Sequence, residues 1–398
     1  MTRIFSFIIS ISFFLAYPAV ADDGYSEQAL KVKRFFAGIE VKALAEDYKG
    51  LRTSSGTQAG LFEIKATGVS TDAITDAATA YLATLSMPEK IRTQFSVDDP
   101  EWRRWFNVDN GIYVRQGLSL KEMTGAQRAA AMDILETSLS AKGLGLSLDI
   151  MKTDKTLSEI NGDASHLDEE LYFITIMGTP SRTEPWGWQI DGHHLVINYF
   201  ILGDQVVMTP TFLGAEPAVT TTGKYTGNKV LQEEQDLGLQ FMQSLSADQR
   251  VAATLERRKS GDNMVAAAHK DNLVLDYQGL NASSLDTEQQ AALLQLAGLF
   301  IDNMKEGHAK IRMDQVNDHL NETWFSWVGE ARDDSVFYYR IHSPVLLIEF
   351  DHQRPIGTRS LNDPSRPTRD HIHVIVRTPN GNDYGKDLLG QHLRQHQH

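Results

Sequence analysis

The stretch of this chain best suited to chemistry is HIHVIVR, from His371 to Arg377. As a β-strand it puts His371, His373, Ile375 and Arg377 on one face and Ile372, Val374 and Val376 on the other, because successive side chains alternate. Two imidazoles two residues apart on a rigid element can converge on one cation. The preceding run, SPVLLIEFDH from Ser343 to His352, puts Glu349 and Asp351 on one face and Ile348, Phe350 and His352 on the other. Antiparallel pairing of the two runs would carry the carboxylates to His371, His373 or Arg377. A carboxylate inside LLIEF needs a partner, since an unpaired buried charge is costly. A cross-strand ion pair of Glu349 with Arg377 is the plainer use of those charges. Exposure on a solvated strand face is the plainer use of the histidines.

Further candidates lie on turns. DGHHL, from Asp191 to Leu195, is a hairpin tip whose His193 and His194 point to opposite sides, so that at most one of them joins a given site. His342 stands at a matching tip further on. FLGAEP, from Phe212 to Pro217, reads as a loop holding Glu216. PNGNDYG, from Pro379 to Gly385, is a dense turn whose Asn-Gly adopts left-handed conformations cheaply and which presents Asn380, Asp383 and Tyr384. No GxSxG, HExxH, Walker or GxGxxG element stands in a suitable context, which argues against serine hydrolases, thermolysin-like enzymes and nucleotide or dinucleotide binding.

The elements that must position these groups come in two sets. WGWQIDGHHLVINYFI from Trp186 aligns without gaps on FYYRIHSPVLLIEFDH from Phe337, and FITIMG from Phe173 on WFSWVG from Trp324, both at an offset of 151 residues. Upstream, QGLSLKEMTGAQRAAAMDIL from Gln116 pairs with QGLNASSLDTEQQAALLQLA from Gln278 at 162, and LSMPEKIR from Leu85 with LSADQRVA from Leu245 at 160. Each set runs helix, helix, then a strand meander, with Thr124 or Asp286 opening the second helix and Gln127 or Gln289 completing a capping box. Helices followed by strands indicate α+β architecture rather than βαβ winding. The expectation is two diverged copies of a helix-helix-antiparallel meander unit, related by a pseudo-twofold. The copies would span residues 75–230 and 231–398, after an N-terminal helical cap over residues 22–74. In the first copy the strands fall at 172–177, 187–190, 195–202 and 206–208, and the stretch from Leu148 to Glu170 reads as a surface excursion.

The last strand also repeats, VVMTP from Val206 against IVRTP from Ile375, but at an offset of 169, so the second copy holds 18 additional residues. They fall in HQRPIGTRSLNDPSRPTRDHIH, from His352 to His373. A connection that long is functional or disordered, and its Pro, Arg and Asp content is not low complexity.

Residues 1–21 have the form of a signal peptide, with Arg3, an apolar run from Ile4 to Ala16 and a cleavage site after Ala19-Val20-Ala21. The run is too short to span a bilayer. The mature chain is therefore expected to be exported, periplasmic or secreted, without membrane insertion. Cysteine is absent, so neither disulfides nor thiolate ligands contribute. The formal charge is −14, and −15 once Arg3 leaves with the signal, which disfavours nucleic acid and anionic membrane. A small molecule or a neutral polymer suits better as substrate. Oligomeric state is left open.

WGWQIDGHHLVINY, TPTFLGAEP, SPVLLIEFDH and HIHVIVRTPNGNDYGKDLLGQH resemble the family known as domain of unknown function 3500, over nearly all of the mature chain. The family carries no activity to transfer. The residues themselves point to an exported metal-dependent enzyme, a hydrolase first. His371 and His373, with one or two of His194, His342, His352 or Glu349, would hold a divalent cation: zinc, or in a redox variant iron or copper. Glu349, Asp351 or Asp383 would act as base, Arg377 would steady developing negative charge, and Glu216, Asn380 and Tyr384 would meet substrate. A non-catalytic exported protein that sequesters a metal or small ligand is the alternative.

Overall fold

The computed structural model describes residues 27–396, so the signal peptide expected at residues 1–21 lies outside the described residues. The architecture is α+β, with ten helices and one large mixed sheet among the described residues. In the first half, α1 (Glu27–Leu44), α2 (Asp72–Thr84) and α3 (Met87–Thr93) precede β1 (Gln94–Phe95) and β2 (Leu118–Ser119). Helices α4 (Gly125–Ser138) and α5 (Ala141–Ile160) lead into β3 (Phe173–Met177), β4 (Trp186–Gly192), β5 (Leu195–Leu202), β6 (Gln205–Val207) and β7 (Thr211–Ala215). The second half runs α6 (Gln232–Ser244), α7 (Ala247–Ala253), β8 (Thr254–Glu256), β9 (Leu280–Asn281), α8 (Thr287–Ile301) and α9 (Glu306–Asp318). It ends with β10 (Trp324–Gly329), β11 (Phe337–His342), β12 (Leu347–His352), β13 (Ile372–Arg377) and α10 (Lys386–Gln395).

The two expected helix starts are present. Thr124 accepts from the Gln127 amide and Asp286 from the Gln289 amide, and each glutamine side chain reaches back to the capping residue's own N–H.

The sheet follows the path β1-β3-β4-β5-β7-β13-β12-β11-β10-β8. Pairing is antiparallel except that β1 runs parallel to β3 and β8 parallel to β10, so the sheet is mixed rather than a purely antiparallel meander. From either end the path meets a short parallel strand, three longer antiparallel strands and then a central one. The two central strands, β7 and β13, pair antiparallel with Phe212 opposite Ile375 and Gly214 opposite His373.

Two readings of the sequence are corrected here. FLGAEP is largely strand β7, whereas Val206–Met208, matched to Ile375 by sequence, lies in and just beyond β6, an edge strand that pairs only with β5. All five residues of β7 are buried and one is glycine, so it lacks the alternation that marks a half-buried strand. The stretch after Leu148 is no surface excursion either. It lies mostly in α5, whose Ile150, Met151, Asp154 and Leu157 are buried, although Lys152, Lys155 and Glu159 made it read as solvated.

Both faces of the sheet are covered. One is apolar: Trp188 stacks on Tyr199 and Tyr339 on Phe350, and their side reaches α4 and α6 through Trp188 Nε1 to Ser138 Oγ (3.2 Å) and Tyr339 OH to the Glu234 carbonyl (2.9 Å). The other carries Gln189, Asp191, Asn198, Arg340, Glu349, Asp351, His373 and Arg377, as the strand pairing dictates. That polar face lies under irregular chain from two segments. Arg115 pairs with Asp191 (3.0 Å) and Lys259 with Asp351 (2.9 Å), while the backbone at 265–267 caps Glu349 and Arg377. The buried charges are therefore paired or hydrogen-bonded, the condition for keeping them inside. No helix among the described residues is long and apolar enough to cross a membrane.

Candidate metal centre

Three histidines converge where the β4–β5 hairpin tip meets the end of β7 and the start of β13. His373 Nε2 lies 2.9 Å from His371 Nε2 and 3.2 Å from His194 Nε2. Zinc–nitrogen bonds of about 2.0–2.1 Å at tetrahedral angles put ligand nitrogens roughly 3.3–3.4 Å apart. The two contacts of His373 are therefore only slightly shorter than such an ion's ligand spacing, and all three rings offer a nitrogen within 4.8 Å of the others. His194 and His371 are each 2% exposed, and His373 is half-buried.

Two of the three rings are held by their surroundings, His371 through its Nδ1 and His194 by stacking. His371 Nδ1 lies 2.6 Å from the Arg354 carbonyl, an acceptor, which makes Nδ1 the donor and leaves Nε2 its lone pair. The Glu216 carboxylate stands 3.5 Å from the same Nδ1. It is tied to the long connection by the N–H groups of Ile356, Gly357 and Thr358 and by the Thr358 hydroxyl. Burial pushes the Glu216 carboxyl up, but His371 and these N–H donors outweigh it and hold the group below its usual range.

His194 takes a left-handed backbone conformation (φ 62°), its amide donating to the Asn107 carbonyl. Histidine adopts this region more readily than most residues. Its ring stacks on His193 with centroids 3.9 Å apart and lies against Gly214, where a side chain would intrude. His193 Nδ1 in turn meets Asp154 of α5 at 2.5 Å, and Asp154 accepts from the Tyr172 hydroxyl at 2.8 Å. Burial draws the His193 ring down, yet the Asp154 carboxylate outweighs it and raises the pKa above the ordinary value. His194 and His373 are held well below theirs by burial first and by the neighbouring imidazoles second. Both are neutral at pH 7, the form that binds metal.

The remaining expected residues sit elsewhere. His352 faces the helices: Nδ1 accepts from the Phe337 amide and Nε2 meets Gln235, both at 2.9 Å, so neither nitrogen is free. His342 packs on Tyr277, and burial drives it to about 3. It cannot join His194, because the antiparallel β7–β13 pair sends the two hairpin tips to opposite ends of the centre, Leu195 beside Leu213 and Leu347 beside Arg377. Glu349 is saturated by the amides of Val265 and Ala266 and the Tyr338 hydroxyl (2.6 Å), and Asp351 by Lys259, Gln353 and the Asn263 amide. The cross-strand partner of Glu349 is Ile375 and that of Arg377 is Leu347, so the plain Glu349–Arg377 pair does not form either. Arg377 bonds Asp271 (3.0 Å), Asp383 (2.9 Å) and two carbonyls instead. Tyr384 joins that network through Asp271 and Trp105, and Asn380 ties Gln58 to Pro344. These groups brace the interior away from the imidazoles.

Sequence reasoning missed His193, Asp154, Gly214 and the Arg354 carbonyl. The adjacent histidines of DGHHL were the one legible sign, since the second sits at the cluster and the first buttresses it.

Among the described residues, His194, His371 and His373 form a group able to hold a metal ion. No functionally curated protein and no solved structure matches the chain. A family model described as protein of unknown function (DUF3500) matches residues 67–386, the greater part of the chain. The chain belongs to the DUF3500 family.

Proposed function

We propose that this chain is an exported metal-dependent enzyme whose ion is held by the Nε2 atoms of His194, His371 and His373, with hydrolysis as its reaction and a small molecule or neutral polymer as substrate. The observation that carries it is the meeting of three imidazole Nε2 atoms at 2.9 and 3.2 Å, with the His371 ring held at Nδ1 by the Arg354 carbonyl and the His194 ring stacked on His193. Three neutral ligands leave a divalent ion's charge uncompensated in the first sphere, which favours a strong Lewis acid that lowers the pKa of bound water. Counter-charge comes from Glu216 behind His371 and Asp154 behind His193. An all-imidazole set favours zinc or copper; a site for non-haem iron commonly includes a carboxylate.

One observation favours the non-catalytic reading. Every carboxylate expected to act as base has its oxygens engaged elsewhere, so the ion's water would have to react without a carboxylate base. Export rests on the form of residues 1–21. Descent from two copies of one unit is supported by matching segments at near-constant offsets and by a strand order that reads alike from both ends.

The test is metal content of the mature protein, made without a histidine tag, beside a His371→Ala/His373→Ala double variant. Near-stoichiometric metal that the variant lacks is expected, followed by a screen for hydrolysis with loaded protein. Absence of metal from both after reconstitution with zinc, copper, iron and manganese would overturn the assignment. Bound metal with no turnover on ester, amide or glycoside substrates would leave the metal-holding reading.

A further inference from the structure

A separate cavity of about 680 Å3 opens among β6, the start of β7, the end of β13, the C-terminal part of α8, α9 and the segment 60–67. That volume is within the range of sites for small organic ligands. It reaches Thr211 and Val376, paired residues roughly 10 Å along the strands from Gly214 and His373 at about 3.3 Å per residue, so an occupant would not touch the imidazoles.

The walls are of mixed character, with Phe62, Met208, Phe300, Met304 and Val376 forming an apolar part. Into this lining projects Arg312 of α9. Its guanidinium bonds the Val345 carbonyl (2.5 Å), Thr378 Oγ1 (3.1 Å) and Gln315, three contacts for five N–H groups. No carboxylate among the described residues lies within ion-pair distance of it, although Arg377, on the next strand turn, has two. Burial lowers even this guanidinium to about 10, with Asp383 acting weakly against it. Glu63, Asp314 and Asp318 also border the cavity, but all three are exposed at its mouth, and Asp314 is paired with Lys310. Arg312 is half-buried, and a guanidinium with no carboxylate beside it and N–H groups to spare is a ready partner for a bound anion.

We propose that this cavity binds a monocarboxylate with an apolar body, its carboxylate on the unspent N–H groups of Arg312 and its chain or ring against Phe62, Phe300 and the two methionines. Methionine walls adapt to varied apolar shapes, which suits a class of ligands more than one molecule. A carboxylate matches a guanidinium fork through two parallel charge-assisted hydrogen bonds.

The test is calorimetric titration of the full mature chain with decanoate, below its micelle concentration, and with 4-phenylbutyrate, each beside decanol as the neutral counterpart. At least one carboxylate should bind one to one and at least 10-fold more tightly than decanol. Arg312→Gln should weaken the carboxylate by about 10- to 100-fold and change decanol less than twofold. Val206→Trp, which fills the cavity from a half-buried edge strand, should weaken both, and it serves as a second probe should the Arg312 variant fold poorly. Metal stoichiometry should stay unchanged throughout. The proposal is overturned if neither carboxylate binds at millimolar concentration, if decanol binds as tightly as they do, or if a folded Arg312→Gln or Val206→Trp binds like the parent.

Discussion

Gly214→Ala should damage the metal centre without touching a ligand. A Cβ at this position would stand 3.0 Å from the Ile372 carbonyl oxygen and 3.1 and 3.2 Å from Cδ2 and Cγ of His194. Comfortable contacts lie at about 3.5–4.0 Å, so the ring must retreat by roughly half an ångström. It has little room to do so, because His193 packs at 3.9 Å and is itself pinned by Asp154. The carbonyl belongs to the chain entering the β7–β13 ladder and cannot withdraw without disturbing the pairing of Ile372 with Ala215. Overpacking of this kind costs about 1–3 kcal/mol. Part should appear as lower stability of the metal-free protein, and part as displacement of His194 Nε2. A ligand misplaced through its surroundings typically weakens a metal site by about 10- to 100-fold. Competition of the protein with a chromophoric chelator for zinc reads the affinity, and urea unfolding of the metal-free forms reads the stability. The expected variant binds one zinc, 10- to 100-fold more weakly, with a lowered unfolding midpoint. Unchanged zinc affinity would refute the reasoning, as would a His194→Ala protein that binds zinc like the parent; either removes His194 from the ligand set.

Asp154→Asn removes the charge that holds His193 and accepts from Tyr172, so stability should drop by about 1–3 kcal/mol and zinc affinity by about 10-fold; an unaltered urea midpoint would count against the buttress. Arg377→Met takes from Asp383 its ion-pair partner in the interior and leaves Asp271 only Arg103, and a loss of about 3–5 kcal/mol is expected in denaturant titrations, whereas a loss under 1 kcal/mol would show that the network is dispensable. His342→Phe should make the protein less acid-sensitive. Burial lowers this imidazole from 6.5 to about 3, so below pH 6.5 the unfolded chain takes up a proton that the folded chain refuses. Stability from this group is complete above pH 6.5 and falls by about 1.4 kcal/mol per pH unit towards 3. Between about pH 6.5 and 5 the parent should lose on the order of 2 kcal/mol more than the variant, and parallel stability curves would contradict that.

The sequence carried the local half of this site. Strand alternation put His371 and His373 side by side, and the same alternation already set His352 on the opposite face. The matched segments marked both hairpin tips but not their destinations. Only the antiparallel joining of β7 and β13 decides that His194 reaches His373 while His342 ends at the far end of the centre. The carboxylates misled for a different reason. Glu349 and Asp351 do share the face of His373, but backbone N–H groups from residues 263–266 claim them, and no side-chain pattern announces a backbone donor. Asp154 was hidden because α5 leaves its lysines, Asp149 and Glu159 half-exposed and buries only Asp154 among its charges, so composition made a core helix resemble solvated chain.

The central pairing also governs when the site can exist. His194 and His373 are 179 residues apart, and the strands that bring them together are among the most distant partners in the chain. Contacts so remote in sequence form late, since closing long loops precedes the contacts that repay it. During synthesis the third imidazole is made only when most of the polypeptide already is. A half-built chain therefore holds at most one ring of the trio. Completion of the His trio would coincide with pairing of β7 and β13, so that, if the trio holds an ion, its uptake would report a late step of folding.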